Sequence, residues 1–354
     1  MTDAPSLTPL EARDRWLDKL RVQRRERTVY SYEYRLKLFV EWAEEQGIDD
    51  IRDLSGWDLE TYEAHRRSKD PTASTLNNEF QTLRLWLEYL ARIEVVDADL
   101  PDKVDVPDVP KDEETNTTRL EYERALEMIQ QYRKIPKLYG TRDHVLLEIA
   151  WHTGARVGGI RALDLRDVKH TEMENGETAH FVEFVNRPET DTPLKNGPDG
   201  ERPVALLPEV YEVIDHYISV RRPDKVDDEG RQPLLVSQRG RPSAGTIRIW
   251  MYKTTLPCRY GPCPHDRDPD ECQYTKHNHR SKCPSSVSPH PIRTGAITWM
   301  RNQGLPVEVV AERVNASVDV INKHYDVEEP LHEMLRRRVP HLNNLSFDPD
   351  STDQ

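Results

Sequence analysis

The first 96 residues carry apolar side chains at helical spacing and almost no glycine, and this feature constrains the fold more than any other. Only Gly47 and Gly56 interrupt the pattern. Apolar residues three and four positions apart share one face of a helix, so each run predicts a helix with one buried side. The predicted buried residues include Leu10, Trp16, Leu17 and Leu20 in the first helix and Tyr34, Leu38, Phe39 and Trp42 in the second. The segment therefore predicts a bundle of four or five helices that forms a domain over residues 1–96.

Residues 97–117 are rich in proline and aspartate and show no periodic apolar face. Such a composition predicts an extended linker between two domains. After the linker the pattern mixes helical periodicity with two strand-like segments, at 181–185 and 202–206. We therefore predict a second domain over residues 118–340 and an acidic, disordered tail over residues 341–354. The fold class that follows is mainly α with a small β-sheet.

The net charge argues at first against a nucleic-acid partner. The chain has 63 acidic and 50 basic side chains, a formal net charge of −13, and phosphates repel carboxylates. The basic residues are 36 arginines and 14 lysines, a balance typical of proteins adapted to a high-salt cytoplasm. At 1 M salt the Debye length is about 3 Å, so repulsion at longer range is largely screened. We predict a halophilic protein; a moderately acidic protein from an ordinary cytoplasm is the alternative.

Two further features indicate the compartment. No apolar run reaches the roughly 18–20 residues that a membrane span requires, and the N-terminus lacks the apolar core of a signal peptide. All four cysteines lie in one short stretch, so no disulfide framework connects the rest of the chain. The sequence thus predicts a cytoplasmic protein without a membrane partner.

The cysteines belong to an insert over residues 256–286 that has little apolar content. Such a loop needs a clip in order to fold, and four thiolates suit a tetrahedral zinc ion. The predicted ligands are Cys258, Cys263, Cys272 and Cys283, or three of these with one histidine from His265, His277 and His279. Reduced loop cysteines without a metal, or two disulfides, are the alternatives.

Three separate segments contain candidate phosphate chemistry. Arg156 follows a glycine turn at a predicted helix start, where its planar guanidinium can bind a phosphate with two hydrogen bonds; an ordinary ion pair is the alternative. His290 and Arg293 are three positions apart and share one side of a helix; an N-cap and a surface arginine are the alternative. Tyr325 ends a predicted helix 32 residues after Arg293, where a packing role is the alternative.

Together these segments resemble the tyrosine recombinase (phage integrase) family over residues 7–340. The resemblance implies a helical core-binding domain of the SAM-like type over residues 1–96 and a mixed α+β catalytic domain over residues 118–340. The family's catalytic arginines, histidine and nucleophile match Arg156, Arg293, His290 and Tyr325. The family's catalytic lysine lies in a β-hairpin, and Lys195 matches it; a solvated residue at the hairpin tip is the alternative.

The resemblance also implies a mechanism. Tyr325 attacks a DNA phosphate and forms a 3′-phosphotyrosine, and the two arginines stabilise the charge on the phosphate. Lys195 donates a proton to the leaving 5′ oxygen, and His290 assists proton transfer. Neither a catalytic metal nor a nucleotide cofactor is expected. The implied partner is double-stranded DNA, on which the protein assembles as a dimer to tetramer in association with the nucleoid.

Two positions depart from the family pattern. Ala316 stands nine residues before the nucleophile, where the family has a histidine or tryptophan that donates to the phosphate. Asn315 and His324 are the alternative donors. Gly159 stands where the family commonly has an acidic residue.

Basic residues near two helix ends are the candidate DNA contacts. The predicted contacts are Arg21, Arg24, Arg25 and Arg27 in one run and Arg66 and Arg67 in a second; solvated helix ends are the alternative. The function we predict is a site-specific DNA recombinase or integrase. A catalytically weakened DNA-binding or regulatory protein on the same fold is the first alternative, and a zinc-dependent interaction module is the second.

Overall fold

The computed structural model describes residues 5–24, 26–110, 118–325 and 330–342 of the 354-residue chain. The chain divides into two compact units, Met1–Asn116 and Thr117–Gln354. Residues 343–354 of the predicted tail and residues 111–117 of the predicted linker lie outside the described residues. Within the described ranges, no helix is both long enough and apolar enough to cross a membrane.

The N-terminal unit is a helical bundle, as the apolar spacing predicts. Its helices are α1 (Pro9–Gln23), α2 (Glu26–Glu45), α3 (Gly56–Arg67) and α4 (Ala73–Arg92). Thr8 begins α1 through a capping box, in which its hydroxyl accepts from the Glu11 amide and the Glu11 carboxylate accepts from the Thr8 amide. The rings of Tyr62 and Trp86 pack on Phe39 with centroids 5.0 and 5.7 Å away. Aromatic side chains from three helices therefore hold the bundle together.

Two predicted details of this unit are wrong. Tyr34 is 62% exposed, because α2 buries the face that carries Leu36 and Phe39, and Leu10 of α1 is exposed as well. The predicted linker begins too early, since Leu100 and Val104 are 2% and 1% exposed in the core of this unit. A short 3₁₀ helix brings these two apolar residues to the same side, and the surrounding prolines and aspartates conceal that pairing in the sequence.

The C-terminal unit combines helices with one small sheet. Its elements are α5 (Tyr122–Lys134), α6 (Arg142–Thr153), α7 (Val157–Ala162), β1 (Val168–Glu172), β2 (Thr178–Phe184), β3 (Arg202–Leu206), α8 (Pro208–His216), α9 (Ala244–Thr254), α10 (Pro289–Asn302), α11 (Val307–Val314) and α12 (Val318–His324). A last helical segment runs from Pro330 to Leu342. Helix α6 is buried from Asp143 to Thr153 and packs against α5, α8, α9 and α10. The core of the unit therefore forms around α6.

The sheet is antiparallel with the order β1-β2-β3. Val182 pairs with Val204 across β2 and β3, and both side chains are buried. The predicted strand at 202–206 is confirmed, and the predicted strand at 181–185 corresponds to the longer β2. The sequence analysis did not predict β1, because four of its five residues are exposed and no apolar alternation marks it.

Candidate active site

The turn between α6 and α7 places Arg156. Helix α6 ends at Gly154, whose φ of 60° is the left-handed conformation that glycine adopts most readily. A Cβ at this position would lie 2.9 Å from Cγ1 of Val314, so the close approach of α11 also requires glycine. Arg156 follows as the N-cap of α7, and its Nη1 donates to the carbonyl oxygen of Asn315 at 2.6 Å. The turn thus aims Arg156 at the end of α11.

Arg293 lies inside α10 and is only 3% exposed. Its Nη1 donates to the carbonyl oxygens of Gly154 at 2.5 Å and Val314 at 2.9 Å. Its Nε and Nη2 are buried and have no hydrogen-bond partner among the described residues. Burial and the neighbouring Arg156 lower the pKa of Arg293 to about 10, so the guanidinium stays charged at neutral pH. A buried cation with two unused donors is costly unless an anion completes the site.

Tyr325 and His290 lie beside this guanidinium. Tyr325 follows α12 and is buried, and its carbonyl oxygen accepts from Oγ1 of Thr298 at 2.9 Å. Its ring centroid is 5.0 Å from Cζ of Arg293 and 5.6 Å from the ring centroid of His290. The structure therefore gathers Tyr325, His290, Arg293 and Arg156, four of the five predicted catalytic residues, around one point.

His290 lies in the first turn of α10, with an exposed side chain. Partial burial and the cations Arg293 and Arg156 lower its pKa below the ordinary value. The imidazole is therefore neutral at neutral pH, which is the form that accepts a proton. This arrangement suits His290 to take the proton from the phenol of Tyr325.

Lys195, the fifth predicted residue, lies on the loop between β2 and β3. It is exposed and directly precedes Asn196 and the 3₁₀ turn Gly197–Gly200. The Asn196 side-chain amide donates to Oδ1 of Asn315, the same residue whose carbonyl oxygen binds Arg156. The loop that carries Lys195 is therefore bonded to the site through Asn315.

The sequence analysis missed two arginines that adjoin the site. Arg202, at the start of β3, donates to the carbonyl oxygens of Arg313 at 2.7 Å and Gly200 at 2.8 Å, and it lies over the ring of Phe184. Arg313 donates to the carbonyl oxygen of His152 at 3.0 Å. Burial lowers the pKa of each arginine to about 10, and Arg293 and Arg156 contribute at Arg202. No motif marks either position in the sequence.

We name Arg156, Arg202, Arg293 and Arg313 the carbonyl-paired cluster. Their hydrogen bonds within the described chain go to backbone carbonyl oxygens and to no carboxylate, and Arg293 also contacts the Tyr325 phenol. His152, beside Arg313, is neutral and adds no charge to the cluster, because burial lowers its pKa to about 4 and it accepts from the Leu207 amide. The cluster is therefore a net positive site without a carboxylate partner among the residues that the structure describes.

Ala316 stands where the resemblance implies a phosphate donor, and its side chain has no donor group. Ala316 is half-buried and packs on the core of the unit. The side chain of Asn315 is engaged with the loop, since its Nδ2 donates to the Asp199 carbonyl oxygen at 2.9 Å. His324 is half-buried and is close enough to His290 to lower the pKa of that residue further. Of the two alternative donors, His324 is the one whose side chain is not engaged by this loop.

The four cysteines of the insert line one cavity. His265, Arg267 and Tyr274 contribute to the same lining, whereas His277 and His279 do not. All four cysteines are free thiols, so the two-disulfide alternative is absent. Burial and the nearby Cys263 and Cys283 raise the pKa of Cys258. Across the described part of the chain, no three His, Cys, Asp or Glu side chains are arranged to hold a metal ion.

The ends of the insert are joined directly before α10. Oγ1 of Thr255 accepts from the Val287 amide at 2.8 Å. Arg259 pairs with the buried Asp143 of α6 at 3.0 Å, and Arg124 of α5 donates to the Ser285 carbonyl oxygen. The insert is therefore anchored to the helices of the C-terminal unit. The last of these contacts, at Val287, lies three residues before His290.

The candidate DNA contacts of the N-terminal unit differ in their pairing. Arg24 and Arg27 are exposed, and Arg25 lies outside the described residues. Arg21 is exposed and pairs with Asp18. The remaining two are also paired: Arg66 donates to both carboxylate oxygens of Glu79, and Arg67 pairs with Glu63 at 2.7 Å. The first run therefore keeps more accessible positive charge than the second.

Comparison with known proteins shows which proteins this chain resembles. Residues 14–94 match the family model of the phage integrase N-terminal SAM-like domain. Tyrosine recombinase XerC 2 of Ralstonia nicotianae is 27% identical over 227 residues, which cover 61% of this chain and 58% of that protein. The chain spans little more than half the length of the curated relatives that it matches.

Two solved structures are also similar. The N-terminal domain of a phage integrase/site-specific recombinase from Haloarcula marismortui is 56% identical and covers 29% of this chain and 100% of its own, with a TM-score of 0.29. The Tn1549 transposon integrase in complex with a circular intermediate DNA is 14% identical, covers 96% of this chain and 100% of its own, and has a TM-score of 0.65. The second likeness shows a shared fold over nearly the whole chain.

The fold is shared with the Tn1549 integrase structure, and the arginine, histidine and tyrosine side chains gathered in the site are those that the resemblance to the tyrosine recombinases predicts. The chain is similar to the phage integrases in its N-terminal domain and to a tyrosine recombinase over 61% of its length. The predicted resemblance to the tyrosine recombinase family and the predicted fold class are therefore confirmed.

Proposed function

We propose that the protein is a site-specific DNA recombinase or integrase that acts through a phosphotyrosine. The observation that carries this proposal is Arg293, which is buried beside Tyr325 and keeps two N–H donors unused. Such donors suit the non-bridging oxygens of a phosphate, because a guanidinium binds oxyanions with two parallel hydrogen bonds. A DNA phosphate in this position is the target of the Tyr325 hydroxyl.

The geometry supports a definite division of roles. Arg293 and Arg156 bind the phosphate oxygens and stabilise the charge that develops on them in the transition state. The phenol oxygen of Tyr325 forms a bond to phosphorus as its proton passes to the neutral imidazole of His290. The bond from phosphorus to the 5′ oxygen breaks, and Lys195 supplies the proton for that oxygen. Attack by another 5′ hydroxyl reverses the step and rejoins the strands.

The test is a suicide substrate. Duplexes from the DNA that flanks the gene are nicked close to the candidate cleavage position, so that the released fragment diffuses away and traps the intermediate. In buffer with molar potassium chloride we expect a covalent protein–DNA adduct with the wild-type chain and none with Tyr325→Phe. Binding by both proteins without an adduct from either would show that the enzyme proposal is wrong.

Ala316 favours one alternative, a recombinase-fold protein that binds DNA but cleaves it weakly. Removal of a single oxyanion donor lowers rates by about 10²–10³-fold, and the family's donor is absent at this position. We expect Ala316→His to raise the rate of adduct formation if the donor is missing. An unchanged rate would indicate that another group, such as His324, already donates.

We also propose a structural zinc ion in the insert. Support comes from the cavity that all four cysteines line, and from the low apolar content of the loop. The ligands would be Cys258, Cys263, Cys272 and Cys283, with His265 as the histidine alternative because it lines the same cavity. The proposal rests on the shared cavity rather than on a preformed tetrahedron of sulfur atoms.

Metal analysis of the purified full chain tests the zinc. We expect one equivalent of zinc, lost in Cys272→Ser but kept in the matched variant His277→Ala, whose side chain does not line the cavity. A zinc content below about half an equivalent in the wild-type chain would contradict the proposal.

The remaining partners follow from the chemistry. Exchange of strands needs two broken duplexes and two nucleophiles, so we propose that the protein assembles on double-stranded DNA as a homo-oligomer, from dimer to tetramer. We further propose that it works in a salty, reducing cytoplasm in association with the nucleoid, supported by the net charge of −13 and the four free cysteines. Light scattering of the DNA complex at molar potassium chloride would test the oligomeric state and the tolerance of the complex to salt.

A further inference from the structure

Asn315 occupies a position that selects for glycine. It ends α11 in the left-handed conformation, with φ 51° and ψ 67°. Asparagine tolerates this region better than most residues, but glycine adopts it without strain. Backbone geometry alone therefore does not require asparagine. The distinguishing feature of Asn315 is therefore its side chain.

The side chain of Asn315 bonds to the catalytic loop at two points. Its Nδ2 donates to the Asp199 carbonyl oxygen at 2.9 Å, and its Oδ1 accepts from the side-chain amide of Asn196. The contact is close, because a Cβ at Gly200 would lie 3.4 Å from the same Nδ2. These bonds join residues 116 and 119 positions apart in the sequence. The loop that carries Lys195 is thus held at Asn196, directly before its 3₁₀ turn, and at Asp199 within the turn.

The backbone of Asn315 bonds to the phosphate-binding side of the site. Its carbonyl oxygen accepts from Nη1 of Arg156 at 2.6 Å. The preceding residue, Val314, offers its carbonyl oxygen to Arg293 at 2.9 Å. One short segment at the end of α11 therefore contacts both arginines and the Lys195 loop.

We propose that Asn315 is a positioning residue that sets the Lys195 loop against the phosphate-binding arginines. This inference rests on the proposed function and deepens it. Lys195 must protonate the 5′ oxygen of the same phosphate whose other oxygens bind Arg156 and Arg293. General acid catalysis requires the proton donor to lie within hydrogen-bond reach of the leaving atom. The loop must therefore be held at a fixed position relative to the arginines. Asn315 fixes that position through its side chain.

The variant Asn315→Gly isolates the side chain. Glycine keeps the left-handed backbone and the carbonyl oxygen for Arg156, and it removes only the two bonds to the loop. Asn196→Ala removes one of these bonds from the exposed loop and serves as an independent second variant.

Two suicide substrates separate positioning of the acid from a general structural effect. One has the ordinary 5′ oxygen at the cleaved bond, and the other has a bridging sulfur. A thiolate leaves without protonation, so cleavage of the sulfur substrate does not need the acid. We expect Asn315→Gly to slow cleavage of the oxygen substrate by about tenfold or more and the sulfur substrate by less than about threefold, since general acids contribute 10²-fold and upward.

Two control variants show the expected effect of losing the acid and of losing a phosphate ligand. Lys195→Ala should show the same preference for sulfur, whereas Arg156→Ala should slow both substrates alike. Equal slowing of both substrates by Asn315→Gly and Asn196→Ala, or no slowing by either, would overturn the positioning role. If the wild-type chain forms no adduct with either substrate, the proposed function itself fails, and that result is distinct from the pattern that overturns only this inference.

Discussion

The C-terminal unit contains two groups of arginines with opposite pairing. In a carboxylate-paired cluster, Arg231 and Arg241 donate to the buried Asp164, and Arg187 donates to both oxygens of Asp167. In the carbonyl-paired cluster, Arg156, Arg202, Arg293 and Arg313 donate to backbone carbonyl oxygens and to no carboxylate within the described residues. Both groups are largely buried, so burial alone does not distinguish them.

The two clusters differ in the group that neutralises the charge of their arginines. A buried cation that already has a carboxylate is neutralised within the fold, and loss of one partner leaves a costly unpaired charge. A buried cation that has only carbonyl partners keeps its charge and can bind an external anion. The pairing pattern therefore separates arginines that stabilise the fold from arginines that serve the site. This assignment can be broken by variants in each cluster.

The largest effect is expected for Arg293→Gln. Loss of the guanidinium should lower the rate of adduct formation by about 10²–10³-fold, because it removes the donors that stabilise the transition-state charge. The free energy of unfolding should change little, since removal of an uncompensated buried charge offsets the two lost hydrogen bonds. Suicide-substrate kinetics and denaturant titration measure the two quantities. A stability loss as large as that of the next variant would contradict the distinction.

The opposite pattern is expected for Asp164→Asn. This change leaves Arg231 and Arg241 without their shared carboxylate, so the free energy of unfolding should fall by about 3–5 kcal/mol. Cleavage by the folded fraction should be unchanged. Asp191→Asn is the matched control, because its pair with Arg161 is exposed and worth about 0–1 kcal/mol. Denaturant titration measures the free energy of unfolding of both variants. Equal losses would show that the buried Asp164 stabilises the fold no more than the exposed Asp191 does.

The pH dependence of cleavage should reflect the positive field of the carbonyl-paired cluster. Partial burial and the cations Arg293 and Arg156 lower the pKa of His290, so the neutral, proton-accepting form persists to lower pH. The cleavage rate should therefore be constant near pH 7 and fall only as the pH drops through a value below about 6.5, the ordinary histidine pKa. His290→Gln should lose this acid limb. An inflection above pH 6.5 in the wild-type rate profile would show that the surroundings raise the pKa of His290 instead of lowering it.

The smallest effect is expected in the N-terminal unit. Arg24→Ala should weaken DNA binding uniformly across sequences and reduce the slope of log K against log salt by about 0.9 if it removes one phosphate contact. Lys37→Ala is the control, because that lysine pairs with Glu41 on the same helix. Titrations at several potassium chloride concentrations give the slopes. An identical slope for Arg24→Ala and the wild-type chain would exclude Arg24 as a phosphate contact.

Much of the fold could be predicted from local pattern. Helical spacing predicted the N-terminal bundle, and the strand at 202–206 is confirmed as β3. Prediction was wrong where local pattern carries little information. Leu100 and Val104 lie among prolines and aspartates, and β1 is too exposed to show alternation.

The candidate site divides in the same way. The sequence by itself determined which residue types stand in the motifs, because Arg156, His290, Arg293 and Tyr325 follow short local signals. Only the tertiary structure decided that Arg293 keeps unused donors and that Asn315 joins the Lys195 loop to Arg156. The reason is distance along the chain: the Arg156–Asn315 and Arg293–Gly154 bonds join residues 159 and 139 positions apart. Periodicity and motif spacing act over a few residues, whereas these bonds exist only after the helices pack around α6.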